Sequence, residues 1–460
     1  MTGDGSLSPG IEERDVIVSD KSKLYLPWVY LVAITGVAIF VRFWFINHIP
    51  TMQVFDFQTY QEIASNIYNH KGHSLWGQPV AWQGMGYPTA LGMFYMLMGN
   101  DLVHTAKLFN CLLSALSLPL MFLIFRKLSP NKVVVYGAYT LVALLPNFIA
   151  YNNVVGTEVF FTFLFSLVIF LQLYSFNKWV RYPLLGMVIG LAALTKPFFL
   201  AYPLVAGLYI WLKNKDGRET LALVLTASLL MIAVVSPWTL RNFNKYGSFI
   251  PISYNSGYVL YINNNDANVN GAWMPLKKVP ASPQFKKQIE AELVKNQGSE
   301  KLAPHLDKLL KPAAKQWIKD NPGGFARLSL LRIKQTFFSG AWDIEAWTMN
   351  EMAATADKEE NPIRFQRNLN TFYATADILV YLLGSAGILY LLLNIKPLLL
   401  GLFTRRRLSD AILIPSLNTA FFLAIYFVFE GQARYNYPLL FLFVICLFII
   451  GHKTGEGLKE

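Results

Sequence analysis

The chain has 460 residues, of which 54% are hydrophobic and only 15% charged, whereas soluble domains carry about a quarter charged residues. That balance excludes an ordinary soluble enzyme, and several apolar runs reach the roughly 20 residues a helix needs to cross a bilayer. The formal charge of +12 argues for a membrane rather than a nucleic-acid partner, because the basic residues gather in short loops between apolar runs.

The first 25 residues are polar and mixed in charge, with Glu12, Glu13, Arg14, Asp15 and Asp20. They do not read as a signal peptide, so the first span, at about 26–47, is expected to stay as an anchor. A polar stretch follows to about Met85, and the apolar run 86–99 is too short to cross, which predicts an interfacial or re-entrant helix. Further spans are predicted near 101–125, 133–151, 157–176, 182–196, 198–212 and 219–238, and the last three near 374–394, 410–429 and 436–452. The expected fold class is therefore an all-α polytopic membrane protein with about ten transmembrane helices and a small mixed extracytoplasmic domain. Its parts are a transmembrane catalytic module over 1–242 with an outer loop at 49–85, an extracytoplasmic domain over 243–372, and C-terminal transmembrane helices over 373–460.

Orientation follows from the short loops. Arg126, Lys127 and Lys132, then Lys178 and Arg181, then Lys213, Lys215 and Arg218 fall on one side. Lys396, Arg405, Arg406 and Arg407, and finally His452, Lys453 and Lys459, fall on the same side. The positive-inside rule makes that side cytoplasmic and puts the long block outside. Within the block, 254–275 alternates aromatics with an Asn/Asp/Gly cluster, predicting a strand pair or an ordered loop. Residues 284–320 predict amphipathic helices interrupted at Pro304 and Pro312. The two cysteines, Cys111 and Cys446, each lie in an apolar run and form no metal or disulfide pattern.

Candidate chemistry lies where spans meet the outer side. In "FDFQTYQEIASNIYNHKG", Asp56 opens a helix running to about Asn69, where a carboxylate serves either as an N-terminal cap or as a reactive group. Glu158 opens the 157–176 span, where the helix dipole alone would favour it. Lys196, Arg241 and Arg434 stand at the outer ends of three distant spans, either snorkelling to the interface or gathering around an anion. Arg434 lies beside Glu430 and could pair with it, and Arg42 in the first span either snorkels or braces Asp56. The six histidines show no metal-ligand spacing, and His73 reads as a solvated loop residue.

Taken together, several segments resemble bacterial glycosyltransferases of the protein mannosyltransferase and aminoarabinose transferase type, on the GT-C fold. They are Asp56 with Tyr60 and Ala64, then Gly86-Tyr87-Pro88, "NNVVGTEVFFTFLF" around Glu158, "GLAALTKPFFL" around Lys196, "SPWTLRNFNKYG" and "FEGQARYNYPLL". The first acidic motif reads "FDF" rather than the Asp-Glu pair of some members, so no cofactor is certain and a divalent metal is left open. The resemblance implies an inverting transfer of a sugar from a polyprenyl-phosphate donor to a glycan, lipid or protein acceptor on the outer face of the cell membrane. It makes Asp56 the base, Glu158 a second acid, Lys196, Arg241 and Arg434 the donor-phosphate site, and Tyr60, Tyr87 and Tyr435 substrate contacts. On that reading the three cations converge on one cavity with Asp56, roughly 5–10 Å from its carboxylate, the width of the sugar between base and phosphate. The competing readings are a lipid-glycan flippase, which should show repeats and midplane charges, and an envelope-assembly scaffold.

Overall fold

The computed structural model describes residues 12–351 and 362–457; Lys459 of the last basic group lies outside them. The first half contains α1 (Glu12–His48), α2 (Asp56–Tyr68), strands β1 (Ser74–Leu75) and β2 (Gln78–Pro79), α3 (Gly86–Met98), α4 (Val103–Leu128), α5 (Lys132–Ala143) and α6 (Pro146–Ala150). It continues with α7 (Thr157–Leu173), α8 (Lys178–Thr195), α9 (Tyr202–Asn214) and α10 (Gly217–Tyr246). The polar block supplies α11 (Ser256–Asn263), α12 (Pro283–Lys295), α13 (Pro304–Asp320) and α14 (Pro322–Phe337). The chain then returns to apolar helices, α15 (Pro362–Phe403), α16 (Asp410–Val428) and α17 (Leu440–Gly457).

Each predicted span meets a helix, but not every helix is long enough to cross alone. Among the described residues six are long and apolar enough, or seven if the bent pair Lys132–Ala143 and Pro146–Asn153 forms one span. The shortfall lies in the middle of the chain. Helix α7 has 17 residues, α8 spends its first turn on Lys178 and Arg181, and α9 has 13 residues after a 3₁₀ turn at Pro197–Ala201. At 1.5 Å per residue α9 is about 20 Å long, well short of a hydrocarbon core. These short helices are held by neighbours instead. Gly186 and Gly190, four residues apart on α8, let α10 approach closely; a Cβ on Gly186 would lie 2.5 Å from the Ala227 carbonyl oxygen.

Arg42 takes neither predicted role. It is 1% exposed, and its guanidinium donates to Ser114 Oγ and to the carbonyls of Ala38 and Ala143 at 2.7–2.9 Å. Ala143 ends α5 at the bend before Pro146, where a carbonyl loses its helical partner, and Arg42 satisfies it.

The polar block is built mainly of helices joined by turns and loops. Residues 256–263 of the segment expected as a strand pair or loop form α11. The strands occur instead in the first loop, where β1 and β2 pair antiparallel through Trp76 and Gly77, at φ 50° and 77°. Pro304 opens α13, as a helix start tolerates, but Pro312 lies inside that helix without ending it. Fully buried Arg332 of α14 ties the block to the apolar helices. It donates to the carbonyls of Phe427 and Val428 at the end of α16 and to the carbonyl of Asn263 at the end of α11. Helix α3 packs on α2 through Gly92, whose absent side chain leaves room for Ile67, and exposes Met93, Met96 and Leu97 on its other face.

Candidate active site

Asp56 is the first residue of α2, one step after Phe55, whose φ of 51° is unusual for a bulky side chain. Its carboxylate does not cap the helix. Oδ2 accepts from Arg434 Nη2 at 2.8 Å and Oδ1 from Gln83 Nε2 at 2.7 Å. Burial alone would push the Asp56 carboxyl up, but Arg434, with Lys301 and Gln83, outweighs it and holds the group below the ordinary carboxylate range.

Glycines bring the pieces together. Gly84 and Gly86 follow Gln83 and press against the end of α8; a Cβ on Gly84 would sit 2.4 Å from the Thr195 carbonyl oxygen. The next residue after Thr195 is Lys196, whose Nζ lies 3.6 Å from Glu158 Oε1 in the first turn of α7. At Gly156 a Cβ would meet both Glu158 and Phe57, so glycine there lets α7 and α2 meet. Glu158 Oε2 and Gln83 Oε1 are buried and have no hydrogen-bond partner among the described residues.

Arg434 lies in the 3₁₀ segment Ala433–Leu439, and it pairs with Asp56 rather than with Glu430. Its Nε donates to Gln432 Oε1 at 2.8 Å. The Gln432 amide in turn donates to Glu430 Oε1 at 2.5 Å, and the Tyr435 hydroxyl to Glu430 Oε2 at 3.0 Å. Burial pushes the Glu430 carboxyl up. The Tyr435 ring stands between the cations, with Lys196 Nζ 5.7 Å and Arg434 Cζ 5.6 Å from its centroid.

Asp56, Glu158, Lys196 and Arg434 thus come from four separated segments to line one cavity of about 200 Å³, with Tyr60 and Tyr435 in its wall. A second, largely apolar cavity of about 550 Å³ shares Glu158, Lys196, Glu430, Arg434 and Tyr435 with it, and adds Phe161, Phe198, Phe422 and Phe429. Trp82, Tyr258 and Trp273 line only the smaller one.

Three predicted site residues are elsewhere or differently engaged. Arg241 does not line either cavity. Its guanidinium donates to the carbonyls of His73 and Val80 and stacks 4.5 Å from Trp238, clamping the first loop onto α10. Tyr87 is fully buried, donates to Asn110 Oδ1 at 3.2 Å, and touches Tyr60 edge-on from behind. Arg434 does converge, but it grips the Asp56 carboxylate directly instead of standing a sugar width away. His73 is not solvated either: Nε2 is 2.8 Å from Thr89 Oγ1, the ring meets Trp238, and burial together with Arg241 pushes its pKa down to about 3.

Sequence reading missed Gln83, Lys301, Glu430 as a cavity wall, and Gln432. Lys301, whose Nζ donates to Thr59 Oγ1, comes from the polar block and carries no local signal. Gln432 stands inside the "FEGQARYNYPLL" segment and was findable as a polar residue two positions from Arg434. For a metal, the described residues offer no group of three or more His, Cys, Asp or Glu side chains, and Asp56 and Glu158 are each engaged by a cation.

Residues 32–251 match the model of the family described as dolichyl-phosphate-mannose-protein mannosyltransferase. No curated protein matches the chain. Among solved structures, the Archaeoglobus fulgidus oligosaccharyltransferase tethered with an acceptor peptide is 14% identical with a TM-score of 0.50, covering 93% of this chain and 49% of that one. The same protein in complex with Zn and sulfate gives 13%, 0.50, 93% and 49%. ArnT from Cupriavidus metallidurans bound to undecaprenyl phosphate is 14% identical with a TM-score of 0.44, over 91% of this chain and 78% of that one. The chain spans about half the length of the oligosaccharyltransferase it matches. The family model thus covers just under half of this chain, and the likeness to the oligosaccharyltransferase is one of fold: the chain is an all-α polytopic membrane protein with a GT-C-like fold.

Proposed function

We propose that the protein transfers a sugar from a polyprenyl-phosphate donor to an acceptor hydroxyl on the outer face of the cell membrane, with inversion, using Asp56 as the base. One observation carries this reading: a polar cavity holding paired acids and cations shares its charged wall with a neighbouring apolar one. A lipid phosphate has that dual character. Its apolar chain suits the phenylalanine-lined side, and its phosphate suits Lys196 and Arg434, with lysine acting as a point charge and arginine as a fork. The family's own description names a dolichyl-phosphate sugar.

The chemistry follows from the charges. An acceptor hydroxyl on the side of Trp82, Tyr258 and Trp273 gives its proton to Asp56 as its oxygen attacks the anomeric carbon. The bond from that carbon to the phosphate oxygen breaks on the opposite face, and the phosphate leaves with its charge matched by Lys196 and Arg434. Arg434 joins the two events. While it grips Asp56 it keeps the carboxylate a weak base, and a donor phosphate competes for the same guanidinium. Donor binding therefore releases the base at the moment it is needed. Glu158 holds Lys196 and offers its second oxygen to a substrate hydroxyl.

The test is undecaprenyl phosphate binding by the full chain in lipid nanodiscs. Arg434→Ala and Lys196→Ala should each weaken it by roughly 10-fold or more, the scale of a charge-assisted hydrogen bond. Wild-type affinity in both variants would remove the phosphate site from this cavity.

A further inference from the structure

Arg434 has two tasks in the reaction above, and nothing in that scheme says what keeps its guanidinium in place as it changes partners. The structure supplies an anchor. Nε is bound by Gln432 Oε1 at 2.8 Å, while the bond to Asp56 uses a different nitrogen, Nη2. Gln432 can accept there only if its amide is turned one way, and Glu430 decides that turn. The Glu430 carboxylate, 6% exposed, has one oxygen taken by the Gln432 amide and the other by the Tyr435 hydroxyl. An ionised carboxylate has no donor, so the flipped amide would set oxygen against oxygen on one side and N–H against N–H on the other. Tyr435 is fixed in turn by Tyr426, whose ring stacks on it and whose hydroxyl donates to its carbonyl at 2.8 Å. Behind this segment Gly431 abuts the Arg332 backbone, where a Cβ would lie 2.4 Å from the carbonyl oxygen. The anchor therefore rests on rigid packing.

We propose that Glu430 and Gln432 are positioning residues that hold Arg434 by Nε as a pivot, so that its Nη edge exchanges the Asp56 carboxylate for the donor phosphate. This rests on the donor reading above. Neither residue needs to touch the sugar; both act through Arg434. The class of ligand read at the pivot is a phosphate ester, and the pair is complete without any contribution from the acceptor.

The chain of donors and acceptors can be reversed, which gives a test that a merely structural role would not pass. In Glu430→Gln the carboxylate that fixed the turn is gone: with its N–H toward Gln432 the new amide makes that residue flip and present N–H to Arg434 Nε, and with its oxygen toward Gln432 it donates to the Tyr435 hydroxyl instead, so the acceptor at Nε is no longer held in one orientation. In the double variant Glu430→Gln/Gln432→Glu every bond is restored: Tyr435 donates to the residue-430 oxygen, the residue-430 amide donates to the residue-432 carboxylate, and that carboxylate accepts from Arg434. With undecaprenyl phosphate as the probe and the full chain in nanodiscs, Glu430→Gln should bind roughly 10-fold more weakly, and the double variant should return to within about 3-fold of wild type. Gln432→Met, close in size but without the acceptor, should lose as much as Glu430→Gln, and it carries the test if Glu430→Gln does not fold. Wild-type affinity in Gln432→Met, or a folded double variant as weak as the single one, overturns the pivot. A wild-type protein that does not bind the probe at all overturns the donor reading first and the pivot with it, so the two failures are distinguishable.

Discussion

At the scale of the residue, Asp56 is defined by Arg434. Asp56→Asn keeps the size and the Gln83 contact but cannot take a proton, so transfer should fall by about 10²–10⁴-fold, the usual weight of a general base. Turnover of the purified variant within about 10-fold of wild type would return Asp56 to a structural part. The depressed carboxyl has a second consequence. A group whose folded-state pKa lies below its unfolded value adds stability above the unfolded value, and that stability is lost as pH falls through the folded one. The melting temperature of wild type should therefore exceed that of Asp56→Asn at neutral pH, with the gap closing below about pH 4. A gap that persists unchanged into acid would mean that the Arg434 pair does not hold the charge. Asp56, Glu158, Lys196 and Arg434 were legible in the sequence because a charge at the end of an apolar run has few uses. Arg241 has the same signature and a different job: its partners are backbone carbonyls 161 and 168 residues away, and carbonyls leave no trace in a sequence. Arg241→Ala should accordingly lower the melting temperature while leaving undecaprenyl phosphate affinity within about 3-fold of wild type; a larger loss of affinity would restore Arg241 to the phosphate site.

At the scale of the element, the site is made by helix ends. Asp56 and Glu158 open α2 and α7, and Lys196 follows α8. Helix periods and caps predict such ends well, which is why α2, α3 and most spans fall where composition puts them. What sequence does not predict is how closely two ends approach. That is settled by the absence of side chains at Gly84 and Gly86, which face Leu194 and Thr195 at the end of α8, and at Gly156, which faces Phe57 of α2. Gly84→Ala places a methyl against the Thr195 carbonyl oxygen, a backbone atom that cannot swing aside, so Gln83 must withdraw from Asp56. Transfer should drop by about 10-fold or more with the fold intact; wild-type rate in Gly84→Ala would show that the loop does not position the base. Of the segment 254–275, expected as a strand pair or an ordered loop, residues 256–263 became α11 because they lie on α13 in the polar block, packing that outweighed the alternation of the aromatics, while 264–275 form turns tied by Asn265 and Asn268.

At the scale of the whole molecule, the short helices α7, α8 and α9 sit in the middle of the chain and are held by longer neighbours, while the polar block stands over the cavity and contributes Ser253, Asn255, Tyr258 and Trp273 to its wall. The basic short loops predict that the block is outside: reporter fusions at Lys453 and Gln288 should fall in opposite compartments, and the same compartment for both would overturn that orientation. The most direct test of sugar transfer from a lipid phosphate is mass spectrometry of the lipid-linked sugars in cells that lack the protein, with wild type or Asp56→Asn restored. A polyprenyl-phosphate sugar should accumulate without the protein and with Asp56→Asn, and fall to the parental level with wild type. A lipid-linked sugar pool that is the same in all of these cells would contradict the assignment.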